Sequence, residues 1–111
     1  MPIETKQLDS GIAVVTVSGR LVLGKDEERL EVVTGELLKQ GQKKFVFDIS
    51  ALDYADSSGI GTLVACLTHI KKADGDLRMA GANARMMRLF QMTGVESLMS
   101  LYPTLAAATA G

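Results

Sequence analysis

The chain has 111 residues, of which 47% are hydrophobic and 23% are charged. This composition predicts a folded domain with its own core and excludes a disordered chain, which lacks the apolar surface needed to offset the entropy of ordering. Twelve basic and thirteen acidic residues give a net charge of -1, so no strong positive field attracts nucleic acid. We therefore expect one domain over residues 1–111 that does not bind nucleic acid.

The sequence also argues against a membrane or secreted protein. Polar residues interrupt every apolar stretch before the ~18 residues that a membrane-spanning helix requires. The N-terminal residues lack the basic-then-apolar order of a signal peptide, and the single cysteine, Cys66, cannot form an intramolecular disulfide. We expect a cytoplasmic protein without membrane insertion.

The first half of the chain predicts a hairpin, a helix and a buried strand. Residues 3–8 and 12–17 have the composition of strands and are separated by a short turn sequence. Apolar residues recur at helical spacing over 26–40, with acidic residues in the first turn. The apolar run within 43–49 is typical of a strand buried on both faces, and we expect it to be central.

The second half predicts a longer helix and then shorter elements. Apolar residues spaced by three and four indicate a helix over 57–72, followed by a short strand over 77–80. Asn83 is placed to cap a helix that Gly94 ends. We expect a last strand at 100–102 and a short helix over 104–109. This order predicts an α/β fold with a mixed sheet and helices packed mainly on one side.

The segment 53–61 is the most unusual in the chain, because carboxylates, hydroxyls and glycines follow one another closely. A serine nucleophile would need a base, yet the only histidine, His69, lies on the same helix and about 18 Å from Ser57. The segment matches no phosphate-binding glycine motif. Cys66 and His69 lack the second pair of ligands that a metal site requires. We predict no catalytic residue, no cofactor and no metal.

The start of the predicted second helix has two possible roles. Asp56 is a candidate N-cap, and Ser57 and Ser58 fall in the first turn, where free N–H groups and the helix dipole favour an anion. These residues either cap the helix and nothing more, or hold a phosphate there. Gly59 and Gly61 each cost ~1 kcal/mol relative to alanine in a helix. They leave a bare face for close packing on the sheet or for a partner.

The segment FVFDISALDYADSSGIGTL at residues 45–63 resembles the signature of STAS domains, specifically the bacterial anti-sigma factor antagonists. Residues 18–21, as a turn, and residues 92–95 are also similar to that family. The resemblance extends over nearly the whole chain and implies the STAS fold, a mixed β-sheet with an opening hairpin.

The resemblance also implies a function. Such proteins bind an anti-sigma factor with serine kinase activity, which phosphorylates the first serine after the aspartate, here Ser57. It implies a non-enzymatic switch, a monomer or weak dimer, and partner-binding residues at Asp56, Ser58, Gly59, Ile60, Gly61 and Asp26. The alternative is a STAS interaction module that is never phosphorylated, either a stress-signalling scaffold or a cytoplasmic subunit of a lipid-transport system.

The chain departs from the family pattern near the expected phosphoacceptor. Relatives often carry an aspartate directly after the glycine turn, where this chain has Val22, and Asp26 lies four residues later. We expect Asp26 to replace that carboxylate only if the loop folds back. We also expect Ser57 to be exposed, Leu63 and Leu67 to be buried, and the second helix to begin within two residues of Ser57.

Overall fold

The structure is a computed structural model that describes residues 3–110. The side chain of Asp26 lies outside the described part. The strands are Ile3–Gln7 (β1), Ile12–Val17 (β2), Gly19–Leu21 (β3), Lys44–Asp48 (β4), Leu52–Ala55 (β5), Asp76–Ala80 (β6) and Ser100–Tyr102 (β7). The helices are Lys25–Lys39 (α1), Ser57–Lys72 (α2), Ala84–Thr93 (α3) and Leu105–Thr109 (α4), with a 3-10 turn at Glu96–Leu98.

The main sheet has five strands in the order β1-β2-β4-β6-β7. β1 pairs antiparallel with β2, whereas β2, β4, β6 and β7 are mutually parallel. The opening hairpin closes through two hydrogen bonds, from the Leu8 N–H to the Ile12 carbonyl and from the Gly11 N–H to the Leu8 carbonyl, each 2.9 Å long. β4 occupies the centre, as its apolar run predicts.

The two faces of the sheet are covered unequally. Side chains of β2, β4 and β6 that include Val15, Phe47 and Met79 pack with buried residues of α1, α2 and α3 in the larger core. The opposite face forms a smaller cluster in which Ala108 of α4 covers Val14 and its neighbours. The expected mixed sheet, with helices mainly on one side, is confirmed.

Two short strands differ from the prediction. β3 and β5 form a separate two-stranded parallel sheet, whereas the sequence predicts a turn at residues 18–21 and no element at residues 52–55. Each strand has four residues or fewer, which is too short for hydrophobic periodicity to register. Their pairing depends on contacts between segments far apart in the chain. The other expected elements are present with ends shifted by a few residues.

The small sheet fixes the start of α2. The Asp56 N–H donates to the Leu21 carbonyl at 3.3 Å. A Cβ built on Gly59 would lie 2.0 Å from that same carbonyl oxygen, so only glycine lets β3 approach α2 this closely. Gly61 is exposed, and a Cβ there would meet no atom within 4 Å. The two glycines of this helix therefore differ in their structural role.

Alanine substitutions at these glycines should have opposite effects on stability. Gly59→Ala forces the backbones of β3 and α2 apart, because the new Cβ would collide with the Leu21 carbonyl. It should destabilise the protein by about 3 kcal/mol or more. Gly61→Ala should stabilise it by up to about 1 kcal/mol, because alanine favours an open helix position. Urea unfolding of both variants measures this difference, and equal effects would contradict the packing described here.

Candidate functional site

The Asp56 carboxylate connects the start of α2 to the loop that follows β3. Its Oδ1 accepts a hydrogen bond from the Gly59 N–H at 2.7 Å, which is the expected N-cap contact. Its Oδ2 accepts another from the Leu23 N–H at 3.1 Å. A single side chain thus satisfies one free donor of the helix and holds the 22–24 loop beside it.

These donors also determine the charge of the site. The Gly59 N–H, and after it the Leu23 N–H, stabilise the ionised carboxylate and hold the pKa of Asp56 below its usual value. Asp56 is therefore a carboxylate at neutral pH. Its negative charge lies at the N-terminus of α2, where the helix dipole favours an anion.

The two serines that follow Asp56 have different surroundings. Ser57 is the first residue of α2 and is exposed. Ser58 is half-buried, and its Oγ donates to Oε2 of Glu27 at 2.7 Å. Leu63 and Leu67, further along α2, are buried. The expectations of an exposed Ser57, of buried Leu63 and Leu67, and of a helix that begins within two residues of Ser57 are confirmed.

Glu27 is a candidate site residue that the sequence did not identify. It belongs to the first turn of α1, and its hydrogen bond to Ser58 brings its carboxylate to the first turn of α2. Sequence reasoning considered Asp26 for this position, and that side chain lies outside the described part of the structure. The run of acidic residues at 26–28 is the signal in the sequence, and the packing of α1 on α2 brings Glu27 to the site.

A family model for the STAS domain matches residues 3–108. The chain belongs to the STAS domain family. It is 32% identical over 85 residues to a protein named anti-sigma-B factor antagonist from Staphylococcus aureus, and the match covers 77% of this chain and 78% of that relative.

Solved structures of STAS proteins have the same fold. An anti-sigma factor antagonist from Mycobacterium paratuberculosis is 27% identical, with a TM-score of 0.81 over 97% of this chain and 90% of that one. The Bacillus cell fate determinant SpoIIAA, in its phosphorylated form, has a TM-score of 0.70 at 18% identity and covers 90% of each chain. At that low identity, the second likeness concerns the fold alone.

The partner-binding residues expected around the STAS signature divide into two groups. Gly59 and Ile60 are buried, Gly59 against β3 and Ile60 in the main core. Both residues therefore contribute to packing, and partner contact at Gly59 and Ile60 stays a prediction. Ser57 and Gly61 are exposed, and Asp56 and Ser58 are half-buried. The accessible surface at the start of α2 is made of this second group.

Cys66 and His69 contribute nothing to this site. Cys66 lies in the core, where burial raises the pKa of its thiol to about 11, and its Sγ accepts a hydrogen bond from Thr34 at 3.5 Å. His69 is exposed near the far end of α2. Among the described side chains of residues 3–110, which leave out Asp26, no group of three or more potential ligands could hold a metal ion. No helix in that range is long and apolar enough to cross a membrane.

The lowered pKa of Asp56 predicts a pH dependence of stability. Because the pKa is lower in the folded state, the carboxylate stabilises the fold above the unfolded value of about 3.9, and this stabilisation is lost as the pH falls through the folded value. Asp56→Asn should therefore lower the melting temperature at pH 7, and the difference from wild type should shrink as the pH falls from about 5 to about 2.

Thermal unfolding across that pH range measures the effect. Asp53→Asn, at an exposed position of β5, is the control for removal of a carboxylate. A difference between wild type and Asp56→Asn that stays constant with pH would show that the Asp56 charge does not stabilise the helix start.

Proposed function

We propose that this chain is a cytoplasmic anti-sigma factor antagonist that binds an anti-sigma factor through the start of α2 and loses that binding when the partner phosphorylates Ser57. The protein is then a regulated binding partner and not an enzyme. The observation that carries the proposal is the exposed Ser57 hydroxyl next to the Asp56 carboxylate at the first residue of α2. The name of the Staphylococcus aureus relative supports the same role.

The surroundings of the two serines favour Ser57 over Ser58 as the phosphoacceptor. A kinase must reach the hydroxyl with its nucleotide, and Ser57 is exposed. Ser58 is half-buried, and its hydroxyl is engaged by Glu27. Phosphorylation of Ser58 would also place a second negative group against the Glu27 carboxylate. We therefore assign the modification to Ser57 alone.

A phosphate on Ser57 would change the partner surface more than the fold. It adds a charge of about -1.5 to -2 next to the Asp56 carboxylate. The dipole and free N–H groups of the first turn of α2 can accommodate this charge locally. A partner docked over Ser57 and Gly61 would instead meet new bulk, a desolvation cost and concentrated negative charge. Binding is therefore lost while the domain stays folded.

The geometry of α2 supports a regulatory role over hydrolysis. Ser57 would need a base within hydrogen-bond distance to act as a nucleophile. His69 lies on the same helix, twelve positions further along, which corresponds to about 18 Å of helical rise. In the proposed function, Ser57 accepts a phosphoryl group from the catalytic site of the partner.

We assign Glu27 a part in that transfer. Phosphoryl transfer depends on positioning and on the metal ion that accompanies the nucleotide. Glu27 places its carboxylate at the first turn of α2, where it accepts the hydrogen bond of Ser58, the residue next to the acceptor Ser57. Val22, where relatives often carry aspartate, supplies no such group. Glu27 would therefore help to place the metal-nucleotide complex of the kinase over Ser57.

Phosphorylation of Ser57 should weaken binding of the anti-sigma factor by roughly 5-fold to 150-fold, equivalent to ~1 to 3 kcal/mol. Ser57→Ala should bind with the affinity of the unmodified protein in the presence or absence of ATP. Ser57→Asp should reproduce only part of the loss, because a carboxylate carries less charge and fewer acceptor oxygens. Calorimetric titration of each form against a purified anti-sigma factor measures these affinities.

Melting temperatures of the same samples separate binding from folding. We expect the serine and phosphoserine forms to melt within a few degrees of each other. Ser58→Ala is the matched control, which should still be phosphorylated at Ser57. Equal affinities of the serine and phosphoserine forms would refute the switch and favour the unphosphorylated STAS module.

Glu27→Gln should slow phosphorylation by a serine kinase anti-sigma factor by roughly tenfold, or about 1.4 kcal/mol of activation free energy. Glutamine keeps an oxygen acceptor for the Ser58 hydroxyl but removes the charge. Transfer of radiolabelled phosphate under single-turnover conditions measures the rate.

Glu28→Gln removes the same charge from an exposed neighbouring position and should leave the rate unchanged. Val22→Asp adds a carboxylate on the loop and should raise the rate, both alone and combined with Glu27→Gln. Equal rates for Glu27→Gln and wild type would show that the Glu27 carboxylate only orients Ser58.

A further inference from the structure

β1 and β7 are the two edge strands of the main sheet, and within residues 3–110 β1 pairs with β2 alone. Because the Leu8 N–H bonds to the Ile12 carbonyl across the hairpin, the alternation of an antiparallel ladder turns every second residue away from β2. The N–H and C=O groups of Ile3, Thr5 and Gln7 therefore face the open edge. They can accept another strand along the whole length of β1.

α1 lies alongside this edge and leaves a groove of about 770 Å³ between itself and β1. Thr5 and Gln7 line the strand side of the groove, and Arg29, Val33 and Glu36 line the helix side. Val32, between these helix positions, is 57% exposed. Positions 29, 32, 33 and 36 have the spacing of a single helix face, so α1 presents two valines between an arginine and a glutamate.

Charges on both elements are arranged symmetrically about an uncharged centre. On β1, Glu4 and Lys6 flank Thr5. On α1, Arg29 and Glu36 are equidistant from the Val32–Val33 pair. If a second copy pairs antiparallel about Thr5, its Lys6 lies opposite Glu4, and its Glu4 lies opposite Lys6. If the two α1 helices also contact each other in antiparallel orientation, Arg29 of each copy lies beside Glu36 of the other.

One twofold axis can relate both pairs of elements. α1 connects the parallel strands β2 and β4, so it runs opposite to β2 and in the same general direction as β1. An axis through the open edge at Thr5 therefore makes β1 antiparallel to β1 and α1 antiparallel to α1, with both helices on the same face. This is the self-complementary geometry of a C2 interface.

We propose that the β1 edge and the exposed face of α1 form a homodimer interface, whose occupant is a second copy of this chain. Charged side chains on edge strands often prevent uncontrolled pairing. Here opposite charges meet in the register centred on Thr5, whereas a shift of one residue brings Glu4 opposite Gln7 or Thr5 and loses both matches. The charges thus select one pairing and disfavour the others.

The dimer leaves the partner surface of each copy accessible. None of the residues that line the groove belongs to the Ser57 site. Ser57 begins α2, which follows the small β3-β5 sheet, and not the β1 edge. An interface of one short strand and one helix face is small, and we expect a transient dimer that populates at roughly 100 μM and above. The proposal does not depend on phosphorylation of Ser57.

Sedimentation equilibrium of the full chain, without an N-terminal tag, tests the proposal between roughly 10 and 500 μM. In the proposed register, position 4 of each copy lies opposite position 6 of the other. Glu4→Lys therefore places lysine opposite lysine at both contacts, and Lys6→Glu places glutamate opposite glutamate at both. Each variant alone should weaken self-association by roughly 5-fold to 30-fold. An equimolar mixture of the two should restore it to within about threefold of wild type, because opposite charges face each other again in the mixed dimer.

Lys72→Glu, at an exposed position of α2, has the same change in net charge as Lys6→Glu and should leave self-association unchanged. Circular dichroism melts of all variants confirm that they are folded. A wild-type protein that stays monomeric at 500 μM would overturn the proposal. A dimer that Lys6→Glu weakens no more than Lys72→Glu, or that the mixture fails to restore, would also overturn it.

Discussion

The close approach of β3 to the first turn of α2 is the contact on which the site depends. The Leu21 carbonyl lies against Gly59, where a Cβ would come within 2.0 Å of it, and accepts a hydrogen bond from the Asp56 N–H. The Asp56 carboxylate then holds the Leu23 N–H on the other side of the same turn. These backbone contacts join the helix start to the loop after β3.

This arrangement concentrates negative charge around an accessible hydroxyl. The Asp56 carboxylate is kept ionised by two backbone donors, and the Glu27 carboxylate arrives from a different helix through its bond with Ser58. Ser57 lies beside them and is exposed. A phosphate there adds charge to a surface that is already acidic, while the helix N-terminus stabilises it locally. In the proposed function, the same turn tolerates a modification that a docked partner does not.

The Ser57 site and the open β1 edge are built from different residues of the fold. Three helices cover one face of the main sheet and the short α4 covers part of the other, while β1 remains at an open edge on the far side of β2. The residues that line the β1-α1 groove are distinct from those around Ser57. The proposed self-association at the edge and the proposed partner binding at the α2 start therefore use different residues.

The sequence by itself determined the elements whose signals are local. Helical spacing of apolar residues located α2, turn chemistry located the hairpin, and the resemblance over residues 45–63 indicated the STAS fold and directed attention to Ser57. Only the tertiary structure revealed β3 and β5, assigned Gly59 to packing and left Gly61 exposed, and brought Glu27 to Ser58. These features depend on contacts between residues about thirty or more positions apart, and the period of a helix or a strand contains no information about which distant segments meet.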